Sequence, residues 1–283
     1  MRHESGKRWS VSVDLDQRRK CGGDYRVVFC MGGLQPSLAA DIVTRQVTEA
    51  LVKADRDHPA DFSGMDLSYL DLAGLDFKGA NLSDADLYGT DFTGANLTDV
   101  DLSHTRLDRS VLINANMDGA NLAGASILRP TVFSDLSFNQ SEAPSFRGAG
   151  LRGVRIQARM DGADFSRADL TEADLSPYED RAGEGTITTV PRNELINARF
   201  VEARMVKAKL QRTILHFADL RGADLTGANL RNAELIGANL EGANLTGVDV
   251  TGADFARARI KGVRGLDTAI GLEAALNLDR AQQ

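Results

Sequence analysis

From Ala60 onward the chain runs on a beat of five: ADFSG, MDLSY, LDLAG, LDFKG, ANLSD, ADLYG. The third residue of each five is large and apolar. Phe62, Leu67, Leu72, Phe77, Leu82 and Leu87 open a series that reaches Val132 through fifteen consecutive fives. Two places before each sits a small or modest residue, most often Ala, and between them usually stands Asp or Asn. The beat returns from Leu195 to Ile260, with Ala at 198, 203, 208, 218, 223 and onward. A period of five suits neither an α-helix (3.6) nor a flat strand (2.0). A short fixed repeat of this kind marks a solenoid, in which residues one full turn apart stack.

The flanks and interruptions divide the chain. Residues 1–36 hold short β-like runs, Trp9 to Val13 and Tyr25 to Cys30, split by the basic cluster Arg18–Lys20. They read as a loosely ordered extension, with Met31 as a second possible start, or as a small strand capping the solenoid. Residues 37–59 read as an amphipathic helix, N-capped by Ser37 and striped by Leu38, Ile42, Val43, Val47 and Leu51. Its expected role is to cover the first coil, because an open β end exposes unpaired backbone groups. The first repeat block spans 60–175 and is irregular near 133–145. There the step from Val132 to Phe146 is fourteen, and a later step from Ile156 to Met160 is four, which suggests two local kinks or bulges. Residues 176–194 lose the pattern and are punctuated by Pro177, Gly183, Gly185 and Pro191. A surface loop and one degenerate coil both fit, and the loop is favoured. The second block covers 195–262. In 263–283 the period lengthens to six, with Leu266, Leu272 and Leu278, which predicts a turn-and-helix cap.

The units ANLSD, ADLYG, ANLTD, ADLTG, ANLEG and ANLTG resemble the pentapeptide-repeat family, whose consensus is A(D/N)LXX. The resemblance implies an all-β solenoid, a right-handed quadrilateral parallel β-helix with four repeats per coil, to which the flanking segments add an N-terminal helical cap and a short C-terminal turn/helix cap. Residues twenty apart then stack. Phe62, Leu82, Leu102 and Leu122 should form one internal ladder, and Leu195, Leu215, Leu235 and Phe255 another. About nine coils at ~4.8 Å per rung give a rod on the order of 43 Å long. Gly64, Gly74, Gly79, Gly89 and Gly94 should turn the corners, where φ must be positive. Asp and Asn should hydrogen-bond to the turns or along the rod.

Composition changes little in this picture. The core is aliphatic, since aromatics make up 6%. Cys21 and Cys30 precede the repeats and fit neither a zinc site nor a disulfide framework. No apolar run reaches the ~18 residues of a membrane span, and the N-terminus lacks a signal-peptide core, so a cytoplasmic protein without membrane contact is expected. Phosphate loops, nucleophile elbows and metal-spaced Cys/His sets are absent. His3, His58, His104 and His216 are scattered. The expectation is a protein that is not an enzyme and needs no cofactor and no metal.

Charge is informative. Residues 60–175 carry 18 acidic and 9 basic side chains, whereas 176–283 carry 14 of each. The candidate contact surface is therefore the acidic first block, Asp61, Asp66, Asp71, Asp76, Asp84, Asp86, Asp91, Asp99 and Asp101, joined by the loop residues Tyr178, Glu179, Asp180 and Arg181. Loops projecting from a constrained rod often carry binding. The expected function is a scaffold binding an unidentified protein. The resemblance implies an alternative, because some members of the family protect DNA gyrase or topoisomerase IV by imitating B-DNA. Duplex DNA carries about one charge per 1.7 Å, so a rod of this length should show roughly 25 net charges. Residues 60–265 hold 29 acidic and 22 basic side chains, far short of that. Direct nucleic-acid binding is not expected. The chain is expected as a monomer or as a homodimer through a terminal cap.

Overall fold

The structure, a computed structural model, describes residues 42–135, 138–177 and 192–282. Its organising feature is four parallel ladders, each built from the residue just before a central apolar side chain. The first runs Asp61, Asn81, Asp101, Asn121, Gly150, Asp169, Arg204, Asp224, Asn244, Arg264. The second starts at Asp66 and ends at Ile270, and the fourth runs from Asp76 to Gln282. The third runs from Asp71 to Thr131 and resumes from Arg159 to Leu276. Among the described residues no ladder pairing joins Thr131 to Arg159. The chain is thus a four-sided solenoid of ten rungs, and nine steps of ~4.8 Å give about 43 Å.

Each side has the same construction. The central residue and the residue two before it point inward, which is why one is Leu or Phe and the other Ala. Phe62, Leu82, Leu102 and Leu122 form a fully buried column behind the first face, and Leu195, Leu215, Leu235 and Phe255 one behind the third. Burial of each such side chain contributes roughly 1.5–3 kcal/mol. Where the inward small residue is polar, its hydroxyl is satisfied by backbone. Thr90 donates to the Leu67 carbonyl at 2.8 Å, and Ser110 to that of Leu107 at 2.7 Å. Each corner is a turn closed by a bond such as Ala80 N–H to the Phe77 carbonyl at 2.9 Å. The corner residue has positive φ. Gly supplies it at Gly64, Gly74, Gly79, Gly89 and Gly94, but Tyr69, Arg109, Arg129 and Phe217 hold it as well, at 58°, 57°, 54° and 57°.

The ladders also locate the irregularities. The pairing step is 20 residues up to Val111↔Thr131, then 29 at Asn116↔Ser145 and 19 at Ser145↔Asp164. The fourteen residues from Val132 to Phe146 thus do the work of five, and the excess leaves as a segment holding a 3-10 turn, Gln140–Glu142. Gln140 ties it back through its amide to the Gly162 carbonyl at 2.9 Å. Here the ladder residues become short strands, β1 (Ser126–Leu128) and β2 (Arg155–Gln157), paired in parallel. The next steps, Arg159↔Glu194 and Asp174↔Lys209, are 35, so the stretch between Leu175 and Leu195 adds no rung. Buried Asn193 closes that junction. It accepts from Ala158 N–H at 2.6 Å and donates to the carbonyls of Ile156, at 2.8 Å, and Leu175.

The ends depart from expectation. The helix predicted from Ser37 starts later. Val43 is extended (φ −100°, ψ 156°), and α1 spans Thr44–Lys53. Ile42, Val43 and Thr44 are all β-branched, which disfavours helix, and Ser37 lies outside the described residues, as do residues 1–36. Val47 and Leu51 of α1 join the core, and Lys78 of the first coil binds the Leu51 and Ala54 carbonyls at 2.8 and 3.0 Å. At the other end the six-residue units are the last rung itself. Each makes one 3-10 turn, at Leu266–Thr268, Leu272–Ala274 and Leu278–Arg280, and pairs downward at Ile270, Leu276 and Gln282.

Candidate functional site

The acidic residues singled out from the sequence sit on the first three coils, and their geometry is built by the turns they open. Asp61, Asp71, Asp76, Asp86 and Asp101 each accept the backbone N–H two residues on, at 3.0–3.1 Å, with Asp66 and Asp91 doing the same at 2.9 and 2.8 Å. Several are also linked up the rod. Asn81, Asn96 and Asn121 donate side-chain amides to Asp61, Asp76 and Asp101 at 3.0–3.1 Å. Arg106 grips Asp86 with two nitrogens at 2.7 and 3.0 Å and lies 4.7 Å over the Tyr88 ring. Asp84 and Asp99 are different, because they occupy left-handed corners at φ 60° and 58°. Asp99 reaches Arg56 at 3.5 Å. These carboxylates do not form one stripe. They lie on all four faces and ring the amino-terminal end of the rod as a collar. Tyr178, Glu179, Asp180 and Arg181 lie outside the described residues.

Charge separates sharply along the rod. Residues 60–119 carry 11 acidic and 3 basic side chains, and residues 120–265 carry 18 and 19. Beyond the collar, opposite charges meet rung to rung. Arg152 pairs with Glu172 at 3.1 Å, Arg167 with Glu202 at 3.3 Å and Lys209 with Asp174 at 3.3 Å. Arg147 holds Asp118 at 2.6 Å. Burial raises the Asp118 carboxyl, but hydrogen bonds from Arg147 and Ser145 outweigh it and set the group below its ordinary value. Asp174 and Asp219 follow the same balance, lowered on net by Ser176 and Lys209 and by Arg221. Arg221 bonds Asp219 on its own rung at 2.6 Å, while Glu241 takes Arg259 at 2.6 Å. The His216 Nε2 lies 2.9 Å from Glu234. Among the described residues no group of His, Cys, Asp and Glu could hold a metal ion, and no helix is long and apolar enough to cross a membrane.

One surface escaped the sequence reading. On the third face some of the outward places carry Val111, Ile113, Ile196, Ile214 and Ile236, all half-buried and interspersed with Arg159, Glu194, His216 and Glu234, and its corner carries Phe217, 58% exposed. The signal was available, since Ile at a place normally held by Asp, Asn, Ser or Thr breaks the repeat. It becomes visible as a surface only when the 29-, 19- and 35-residue steps are known, because they decide which isoleucines share a face.

The family model described as pentapeptide repeats matches eight copies over residues 60–94, 95–127, 156–176, 194–227 and 223–262. No curated protein matches the chain. Among solved structures, the chain is 26% identical to HetL, a pentapeptide repeat protein involved in heterocyst differentiation regulation from Nostoc sp. strain PCC 7120; the match covers 83% of this chain and 94% of that one with a TM-score of 0.38. Rfr23 from Cyanothece 51142 is 27% identical over 44% of this chain and 90% of its own, with a TM-score of 0.38. Full-length QnrB1, a plasmid-mediated fluoroquinolone resistance protein, is 19% identical over 69% and 83%, with a TM-score of 0.27. With more than half of its residues matched by the family model, and with the five-residue sides and four ladders described above, the chain belongs to the pentapeptide-repeat family.

Proposed function

We propose that this protein is a non-catalytic scaffold that binds another protein through its outer surface, with the acidic collar as the principal contact and Tyr178, Glu179, Asp180 and Arg181 as further contacts. The observation that carries this reading is the charge segregation. Eleven carboxylates against three cations crowd residues 60–119, while the rest of the rod is neutral and internally paired. Such a distribution sets up a field at one end and none elsewhere, which steers a partner with a basic surface to the collar. The turns fix the backbone of each Asp, so the collar is pre-organised and little side-chain entropy is lost on docking. Partner recovery by the full chain and by a D84K/D99K variant tests it. Both residues sit at exposed corners, so the substitutions leave the ladders intact. A large loss is expected, and equal recovery would reject the collar. Equal recovery by a chain lacking 178–191 would reject the loop contacts.

A second reading is DNA mimicry directed at DNA gyrase or topoisomerase IV. What favours it is that the collar presents negative charge on every side, as a duplex does with its phosphates. What weighs against it is length: three coils occupy roughly 10–14 Å, room for about 6–8 duplex charges, and the neutral remainder offers no continuation. Supercoiling by gyrase with micromolar protein decides the matter: the absence of both inhibition and drug protection would end the mimicry reading.

A further inference from the structure

The corner between the second and third faces is cut short in the fifth coil. A regular side passes from a central residue through an outward one and a corner of positive φ to the next inward residue, as Leu107, Asp108, Arg109 and Ser110 do. In the fifth coil the step from Ile156 to Met160 is four, and Ala158, directly after Gln157, is already the buried inward residue. The corner residue is missing, beside the place where the third-face ladder is interrupted between Thr131 and Arg159. What remains is a cavity of about 190 Å³ in the edge of the rod, lined by Arg129, Gln157, Ala158, Arg159, Arg192 and Glu194. Arg129 is the corner residue of the fourth coil, and Arg192 directly precedes Asn193, the inward residue of the sixth. They stand two rungs apart, ~10 Å, with Arg159 between them. The three guanidiniums have different partners. Arg159 Nε meets the buried Asp161 at 2.8 Å and Glu194 at 3.5 Å, and its guanidinium carbon lies 5.5 Å from the centre of the Phe133 ring. Arg192 pairs with Glu234. Arg129 is exposed and in no ion pair among the described residues, while its backbone N–H donates to the Gln157 carbonyl at 2.8 Å.

We infer that this cavity is a binding site for a phosphomonoester group. It stands apart from the collar and does not depend on it. Three arginines from three coils border one opening, against a single carboxylate in the lining. A phosphomonoester carries close to two charges and three terminal oxygens, one for each fork, whereas a carboxylate offers two oxygens and one charge. Size agrees. A void of ~150 Å³ takes a benzene ring, so this one takes a phosphate and the first atoms of the group that bears it. Gln157, 4% exposed, brings a side-chain amide to the wall. Asp161 and Glu234 lie beside the cavity and hold Arg159 and Arg192 in place. A guanidinium has five N–H donors, so a carboxylate on one side leaves the fork able to take an oxygen on another. Glu194 is the one lining group that opposes an anion. Among the described residues its carboxylate meets only Arg159, at 3.5 Å, and its side chain is 39% exposed, so it turns to solvent as the phosphate enters. The phosphate is borne either by a small organic molecule or by a phosphorylated side chain of a partner protein.

The test is isothermal calorimetry on the full chain with glycerol phosphate and with three short peptides that differ at one central residue: phosphoserine, Glu or Ser. At least one of the two phosphate probes should bind ten-fold or more tightly than the Glu and Ser peptides. A phosphoserine peptide ten-fold tighter than glycerol phosphate assigns the site to a phosphorylated partner, and any smaller difference assigns it to a free organic phosphate. R129Q changes an exposed corner side chain and should weaken phosphate binding ten-fold or more with an unchanged circular-dichroism spectrum. R192Q, at the other end of the cavity, should show the same loss. E194Q removes the opposing charge and should tighten binding three-fold or more. R167Q removes an exposed arginine paired with Glu202 elsewhere on the rod and should change binding less than two-fold. Equal binding of the phosphoserine and Glu peptides overturns the assignment, as does the absence of phosphate binding at millimolar probe. So do equal losses in R129Q and R167Q, which would reduce the effect to general charge, and an E194Q protein that binds phosphate no more tightly than the wild type.

Discussion

Phe165 lies between Phe146 and Phe200 in a stack, with ring centroids at 4.8 and 5.0 Å and planes within 3° and 4° of parallel. All three are fully buried on the inner side of the fourth face, spanning the coils where the pairing step changes from 29 to 19 to 35 and where the third-face ladder is interrupted. Truncation by Phe165→Ala removes the middle ring of that stack. A buried Phe→Ala change costs about 3–5 kcal/mol, and loss of two ring contacts adds about 0.5–1.5 kcal/mol each. The total is therefore about 4–8 kcal/mol, comparable with the whole stability of an ordinary domain. In a solenoid each coil touches only its neighbours, so a weak middle interface uncouples the two halves. Urea unfolding of the wild type followed by circular dichroism should give one transition, and F165A should give two. F165L keeps most of the apolar volume and loses the stacking, so it should cost no more than about 3 kcal/mol and retain one transition. A single F165A transition shifted by less than about 2 kcal/mol would refute the reasoning.

Further expectations follow from single groups. Asn193→Ala leaves the Ala158 N–H and the Ile156 and Leu175 carbonyls without their partner, so it should cost about 2–4 kcal/mol in urea unfolding. Gly242 has φ +70° and nothing within 4 Å of an added Cβ, so G242A should cost only the left-handed backbone penalty, about 1–2 kcal/mol, and G242N less. Asp118, Asp174, Asp219 and Asp249 have folded carboxyls below their ordinary values. The unfolded chain therefore binds more protons as pH drops, and their stabilisation is complete above pH ~4–5 and lost as pH falls through the lowered values. Thermal midpoints from pH 7 to 3 should show this fall, and D118N should flatten it.

The sequence exposed those parts of the fold that repeat locally. Every inward Leu, Phe and Ala follows from the beat of five, because the position fixes both the direction and the space available. The tight turns were legible at the glycines but not at Tyr69, Arg109 or Phe217, where the rigid coil imposes a conformation that the residue itself disfavours. The fourteen-residue step from Val132 to Phe146 was visible, but its accommodation depends on pairing between distant coils, which no local pattern encodes. Asn193 looked like a loop residue because the Ala that normally fills its place is small and apolar, and only the three backbone groups around it explain the exchange. The collar could be read from charge alone, whereas the third face needed the register first.

The ladders give the surface a metric. Within regular coils, two residues twenty apart in sequence stand one rung apart on the same face, and forty apart they stand two rungs apart. Even the 29-, 19- and 35-residue steps return the chain to the column it left. The outer surface is thus a grid ruled every ~4.8 Å along the rod. Added material is absorbed between two sides without moving any mark, and duplicating a regular coil would lengthen the scale by one division while leaving the collar and the third face in their columns.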